Sequence, residues 1–431
     1  MIIPPLQSPD EPAHITQAAV ISHGSFFGMS VDNTTLGGHI DAQFQSYFNL
    51  YESLRGNSKQ LSPALRADGN ALLHSGQTGF AATPATAFYL PIIYLPQALG
   101  LTIGRRANLS IDTTIRLARA FALLASSAIL YGALRLYVPN MFVLTLLLMP
   151  MYLFQIACSG IDGVTTAVAV FALGYFMRSA EKSWQPSIAL DWAFGLALLL
   201  LATTRQHLMP MLLLPFFLYF VRRETKLLAT GVTLLVLTFA WTAYIMISTR
   251  DAAPSVLPTL MHYLHSPAAA LTILSATIFN FANLRDNALA FIGILGWLDT
   301  PLQSSAYKLT GGFVVVALGL SFNSKSNKAD WHARIFLLAL CIISGALVFI
   351  IMMVVWTKLP ASQIQGVQGR YFLVPALVFG YALSGAKTAI HYRHLQLALL
   401  CGFALFTTTN TAYVMFDRHY PEMSASLVKQ R

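Results

Sequence analysis

Ten apolar runs, each about as long as a bilayer is thick, constrain this chain more than any other feature. They fall at residues 116–136, 140–158, 163–178, 188–204, 208–221, 227–248, 306–322, 333–356, 371–386 and 395–416. A helix needs about 20 residues to cross the hydrocarbon. Lipid offers no hydrogen bonds to an open backbone, so runs of this kind fold as helices. The composition agrees, with 56% hydrophobic and only 10% charged residues, where a soluble domain carries about 25% charged. A larger core would dilute the surface without removing most of its charge. Lipid as solvent does remove it, because charge at bilayer depth costs about 2.5–3.5 kcal/mol per residue. The predicted fold is an all-α polytopic integral membrane protein of about ten transmembrane helices.

The formal net charge of +10 does not point to nucleic acid, because the basic residues sit in the short connections, where topology signals belong. One alternate set of connections holds Arg178 and Lys182, then Arg222, Arg223 and Lys226, then Lys325, Lys328 and Arg334, then Lys387 and Arg393. The opposite set holds no basic residue at 159–163 and only Arg205 at 205–207. The excess marks the first set as cytoplasmic. The stretches 1–84, 249–305 and 357–370 and the C-terminus are then outside. Arg105, Arg106, Arg116 and Arg119 dissent, since this topology puts them outside or at the outer interface. Ten spans with both ends outside also leave an N-terminus to be translocated with no span or cleavable signal before it. An eleventh helix ahead of residue 1 is the expectation that repairs this.

The chain divides into a first extracytoplasmic loop (1–104), a first part of the bundle (105–248), a second loop (249–305), a second part of the bundle (306–416) and a tail (417–431). The first loop reads as an ordered domain on the membrane face, with amphipathic pieces at 15–21 and 44–54 and glycine breaks at Gly24, Gly37-Gly38 and Gly76. Pro91 and Pro96 interrupt the apolar stretch 86–104, which predicts a short interfacial helix rather than a span, with Tyr89 and Tyr94 at headgroup level. In the second loop, weaker apolar stretches at 268–282 and 288–298 are split by Asn283, Arg285 and Asp286, and suit surface or re-entrant helices. Cys158, Cys341 and Cys401 lie in or beside apolar runs without metal-ligand spacing and read as buried thiols.

Several polar groups fall at the outer ends of the runs. Asp10, Glu11 and His14 stand in Pro9-Asp10-Glu11-Pro12-Ala13-His14. An acidic pair there can supply a general base or a divalent-cation site. It equally suits a helix start, with Asp10 as the cap. Asp162 is a helix cap or a site residue. Arg205, with His207 beside it, is a phosphate partner or an interfacial anchor. Arg370 opens a helix, where a cation is unfavourable with respect to the dipole and calls for an anion. Gly366 and Gly369 before it allow close backbone approach to a ligand. Asp299, in Gly296-Trp297-Leu298-Asp299-Thr300-Pro301, suits a turn better than a site, and Trp297 suits an interface anchor. His39 and Asp41 are too weakly spaced to assign. No phosphate-binding glycine loop, zinc-spaced set or nucleophile elbow is present.

Five segments carry a resemblance: PDEPAH at 9–14, YLPQALG at 94–100, LLLMPMYLFQIACSGIDG at 146–163, GWLDTP at 296–301 and QGRYFLVPAL at 368–377. In this order they resemble the bacterial polytopic membrane family catalogued as domain of unknown function 2142, over about residues 8–416. That family is grouped with the GT-C class of membrane glycosyltransferases, which take a sugar from a polyprenyl-phosphate carrier on the outer face. The resemblance implies a multi-pass protein of the bacterial inner membrane with an extracytoplasmic active face. The donor would be a lipid-phosphate-linked sugar and the acceptor an envelope glycan or lipid. Asp10 would be the acidic catalytic residue, activating the acceptor hydroxyl, with Glu11 its neighbour. Arg370 and Arg205 would hold the lipid phosphate, with His14, Asp162, His207 and Asp299 as further candidate contacts. No cofactor is evident, and a divalent cation is compatible with the acidic pair. Family members usually carry a transmembrane helix before the acidic motif, which again predicts one ahead of residue 1. A flippase or transporter of lipid-linked glycans is the rival reading, and a non-catalytic subunit of envelope assembly is a third. The first of these predicts polar residues deep in several spans. Asp191 near a cytoplasmic end and Asn410 near an outer end are the few candidates.

Overall fold

A computed structural model describes residues 2–31, 35–56, 60–181, 183–248, 256–322, 328–384 and 393–420. Within these residues each of the ten apolar runs is helical over most of its length. Five helices are continuous, long and apolar enough to cross a membrane: Ile111–Leu136, Asp162–Ala180, Thr225–Ser248, Trp331–Trp356 and His394–His419. The others are shorter or broken, and proline does much of the breaking. The run 140–158 divides into Met141–Leu147 and Pro150–Ile156. The run 208–221 divides into a 3-10 stretch, Gln206–Leu213, containing Pro210, and the helix Leu214–Arg222. Proline lacks the N–H and its ring clashes with the preceding turn. In the second loop, Pro267–Ile278 and Phe281–Gly293 form a pair bent by 62°, a broken span or a re-entrant loop. The protein is an all-α membrane protein.

Burial separates the helices by role. Four of the five long helices bury only 22–28% of their apolar window, whereas Asp162–Ala180 buries 83% of its own. Leu124, Phe239, Ile342 and Leu405 project outward from the four. Apolar exposure on that scale needs lipid to cover it. Asp162–Ala180 is instead the central member. Phe176 meets Phe217 and Phe336 at ring-centroid distances of 5.5 and 6.2 Å, and Val170 O accepts from the Tyr381 hydroxyl at 3.4 Å. Its 19 residues span about 28 Å.

Charges gather near the two ends of that helix. At one end Arg178 pairs with Glu181 at 2.8 Å, and Arg222 donates to Ser179 O and Trp184 O at 3.1 and 2.8 Å. Lys226 meets Asp191 at 3.1 Å, so Asp191 belongs to this end rather than to mid-membrane. Arg334 donates to Ala382 O at 2.7 Å and covers the end of Leu373–Ser384. The basic connections read as one set therefore include a linked group. The first loop lies at the opposite end and holds two of the dissenting arginines, Arg105 and Arg119, while Arg116 pairs within its own helix. Arg105 donates to Ser22 O at 2.9 Å, Arg116 pairs with Asp112 at 2.6 Å, and Arg119 pairs with Glu11.

The first loop contains a small antiparallel sheet that the sequence reading did not anticipate. Its strands are β1 (Met29–Val31), β2 (Thr35–Asp41) and β3 (Thr78–Ala82), in the order β1-β2-β3. Gly37-Gly38 lies inside β2 rather than at a break. A Cβ on Gly37 would fall 2.2 Å from Ala81 O, and one on Gly38 would fall 2.5 Å from the Val20 side chain. The missing side chains let β2 lie against both β3 and the helix Glu11–Ser22. The proline-broken stretch forms a 3-10 turn, Pro91–Tyr94, and a short helix, Leu95–Arg106. Tyr94 is not at headgroup level: it is fully buried, with its hydroxyl turned to His14.

Candidate functional site

Asp10 and Glu11 are adjacent in sequence and separate in role. Glu11 is 0% exposed. Arg119 Nε and Nη2 donate to its two carboxylate oxygens, each at 2.8 Å, and the Ser159 amide donates at 2.9 Å. Arg119 also donates to Ile3 O and Pro4 O at 2.8 and 2.9 Å. This sealed ion pair ties the start of the chain to the helix Ile111–Leu136 and to the loop before Asp162. Paired above with Asp10 as catalytic, Glu11 has no oxygen that a ligand can reach.

Asp10 stands at the N-cap of Glu11–Ser22 in a left-handed conformation, φ 63°, and its side chain caps nothing. Asp tolerates this backbone better than most residues. Its side chain is 59% exposed and accepts from Arg370 Nη2 at 2.9 Å. Arg370 Nη1 lies 3.4 Å from Asp162, and Asp162 is also ion-paired with Arg205. The four side chains form one alternating line: Asp10, Arg370, Asp162, Arg205. Asp162 holds the first position of its helix rather than the cap, where the dipole favours its charge.

Aromatic rings pack around the line. Arg205 lies 5.9 Å from the Tyr89 ring and 5.5 Å from the Tyr371 ring, and Arg370 lies 5.4 Å from Tyr371. His207 is buried, 6.3 Å from the Tyr371 ring. His14 is buried with Nδ1 hydrogen-bonded to the Tyr94 hydroxyl at 2.8 Å. A small cavity opens against these groups, walled by Met151, Thr165, Leu208, Leu373 and Val374 beside Asp162, Arg205 and Arg370. Two buried polar atoms facing this region have no hydrogen-bond partner among the described residues: Arg370 Nε and Thr165 Oγ1.

Burial, followed by the charge of Arg205, holds His14 down at about 4 against the opposing pull of Asp162 and Asp10. An unfolded chain would bind this proton near 6.5. Between those values the unfolded state holds the proton and the folded state does not, so stability is lost as pH falls through the window. The expected result is a melting temperature in detergent that drops from pH 6.5 towards 4, with a shallower drop in His14→Gln.

Not every expected residue belongs to this centre. Asp299 sits in the turn between two short strands, β4 (Ile294–Leu295) and β5 (Thr300–Pro301). It accepts from the Trp297 amide and the Thr300 hydroxyl at 3.1 and 3.0 Å, and meets Arg418 at 3.6 Å. Its contacts order a hairpin and do not include the four-residue line. Trp297 donates through its indole to Leu6 O at 2.8 Å and lies under Arg55 at 3.9 Å. Gly366 and Gly369 do permit close approach, but to protein. A Cβ on Gly366 would lie 2.3 Å from the Trp356 ring, and one on Gly369 would lie 2.1 Å from Phe291 N. Asp41 accepts from the Gln43 and Gly76 amides at 2.9 and 3.0 Å and braces the first loop, while His39 is exposed on the sheet. Tyr89, Tyr94, Tyr371 and Arg119 surround or brace the site without having been assigned to it from sequence, where Tyr89 and Tyr94 read as interfacial residues and Arg119 as part of the topology. The aromatic flanks of the motifs were the available signal. Among the described residues no group of three His, Cys, Asp or Glu is placed to hold a metal.

The family described as "Predicted membrane protein (DUF2142)" matches residues 1–379, a stretch that includes the whole Asp10–Arg370–Asp162–Arg205 line. No curated protein and no solved structure matches the chain.

Proposed function

We propose that this chain, which belongs to the DUF2142 family of predicted membrane proteins, is a membrane glycosyltransferase of GT-C type. It transfers a sugar from a polyprenyl-phosphate-linked donor to a glycan or lipid acceptor at the outer face of the bacterial inner membrane. The observation that carries this reading is a half-exposed carboxylate, Asp10, joined through Arg370 to a buried line of alternating charge beside an apolar-walled cavity.

Asp10 accepts the proton of the acceptor hydroxyl. The acceptor oxygen bonds to the anomeric carbon as the bond from that carbon to the phosphate oxygen breaks, and the electron pair leaves on the phosphate. The carboxylate loses one negative charge as the phosphate gains one, so the total is unchanged. Arg370 stabilises the departing phosphate directly, and Arg205, which stays paired with Asp162, adds its positive charge from behind. Arg370 stands between Asp10 and Asp162, so in this reading guanidinium groups supply the positive charge that a divalent cation would otherwise bring. Glu11 and Arg119 hold the frame, and His14, hydrogen-bonded to Tyr94, lies within electrostatic reach of Asp10.

The test is transfer by the full chain in liposomes supplied with polyprenyl-phosphate sugars. Asp10→Asn keeps the side-chain shape and tolerates the left-handed backbone. Loss of a positioned general base lowers the rate by about 10²–10⁴-fold. Undiminished transfer by this variant overturns the assignment.

A further inference from the structure

We propose that the site takes lipid phosphodiesters carrying a single negative charge and discriminates against lipid diphosphates, a narrowing that rests on the glycosyl-transfer reading above. The charges at the site balance one for one. Arg205 and Arg370 supply two positive charges, and Asp162 and Asp10 supply two negative ones. Asp162 is shared by both arginines and lies at a helix N-terminus, so it is held three ways. Arg119 is spent on the sealed Glu11. Among the described residues of the line, Asp10 alone is exposed, and its carboxylate is held by one contact. Displacing it releases one positive charge and no more.

The released edge suits a phosphate. Nε and Nη2 lie on the same side of a guanidinium and together match two oxygens of one group. In Arg119 that edge is filled by Glu11. In Arg370 Nη2 holds Asp10 and Nε holds nothing among the described residues, although the side chain is only 3% exposed. A phosphate that replaces Asp10 on Nη2 also satisfies Nε, and Thr165 Oγ1 is a second open group on the cavity wall. Met151, Leu208, Leu373 and Val374 offer apolar cover for the first carbons of a lipid tail.

A second phosphate charge on the bound lipid has no counterpart there while Asp10 keeps its own; only the proton that Asp10 takes up during transfer offsets the charge that the departing phosphate gains. Arg205 remains with Asp162. His14, and His207 in the turn before the fifth run, are held at about 4 and about 3 by burial and by the charge of Arg205, so neither adds a cation near neutral pH. An extra anion taken out of water without a partner binds poorly.

The test measures binding to the full chain in detergent at pH 7 with three probes: farnesyl methyl phosphate, farnesyl methyl diphosphate and tail-free dimethyl phosphate. The expected order places the farnesyl diester at least tenfold tighter than either of the others. Asp10→Asn removes the competing charge. It tightens the diester and narrows the gap to the diphosphate to a few-fold. Arg370→Gln weakens the diester at least tenfold. If the diphosphate binds as tightly as the diester in the unmodified chain, the single-charge assignment falls while glycosyl transfer stands. Equal binding of dimethyl phosphate removes the lipid from the assignment. If no probe binds, both readings fall.

Discussion

Arg119→Met lowers the stability of the protein by about 3–5 kcal/mol, the usual cost of leaving one member of a buried ion pair without the other. Glu11, 0% exposed, would keep only the Ser159 amide, and Ile3 O and Pro4 O would lose their donor. The measurement is the melting temperature and the monodisperse fraction of the purified chain in detergent. Glu11→Gln falls by a similar amount, because it strands the guanidinium instead. The double variant recovers part of the loss by removing both charges, but not all of it, since two carbonyls at the N-terminus remain unpaired. A wild-type melting temperature in Arg119→Met would show that the pair is not a structural clamp. It would also return Glu11 to the list of groups free to act in catalysis.

Gly369→Ala lowers transfer by about a hundredfold, the scale expected when reacting groups are displaced by about an ångström. The added Cβ would fall 2.1 Å from Phe291 N and 2.5 Å from Asn287 O, both backbone atoms of the helix Phe281–Gly293. Neither can rotate aside, so the helix or the following residue, Arg370, must move. Overpacking of this kind costs about 1–3 kcal/mol, which the fold can absorb more easily than the site can. The diagnostic result is therefore a small shift in melting temperature beside a large loss of rate. Equal rates for Gly369→Ala and the unmodified chain would show that the second loop does not set the position of Arg370.

The all-α membrane character was legible because apolar periodicity is local, whereas the expected ten spans were not, since five of the runs form continuous crossing-length helices and the others are shorter or broken. Run 188–204 and the helix Ile188–Thr204 coincide, and the prolines at 91 and 96 marked a short element correctly. The site was legible only as candidates. Asp10, Asp162, Arg205 and Arg370 could be named one by one, but their linkage joins residues up to 360 positions apart. The division between Asp10 and Glu11 was hidden for the same reason. It depends on Arg119, 108 positions from Glu11, which had looked like a topology signal. Tyr94 looked like an interfacial anchor because its hydroxyl partner, His14, lies 80 positions away. The strand β2 was hidden because two glycines that usually punctuate a chain here serve close packing against Val20 and β3.

The central helix also bears on how the molecule can move. A carrier that exposes its cargo alternately to two sides needs two bodies that rock against each other across a seam. Asp162–Ala180 touches members of both halves of the bundle: the backbone of Gly174 lies near Tyr137 and Ala133, Phe176 meets Phe217 and Phe336, and Val170 meets Tyr381. Its first residue is bound to Arg205 and Arg370, and Ser179 O in its last turn accepts from Arg222. A rocking plane through the bundle would have to shear this mast from one set of neighbours and break polar contacts at one end or the other. In the proposed reading, such a molecule stands still while a lipid and an acceptor come to it.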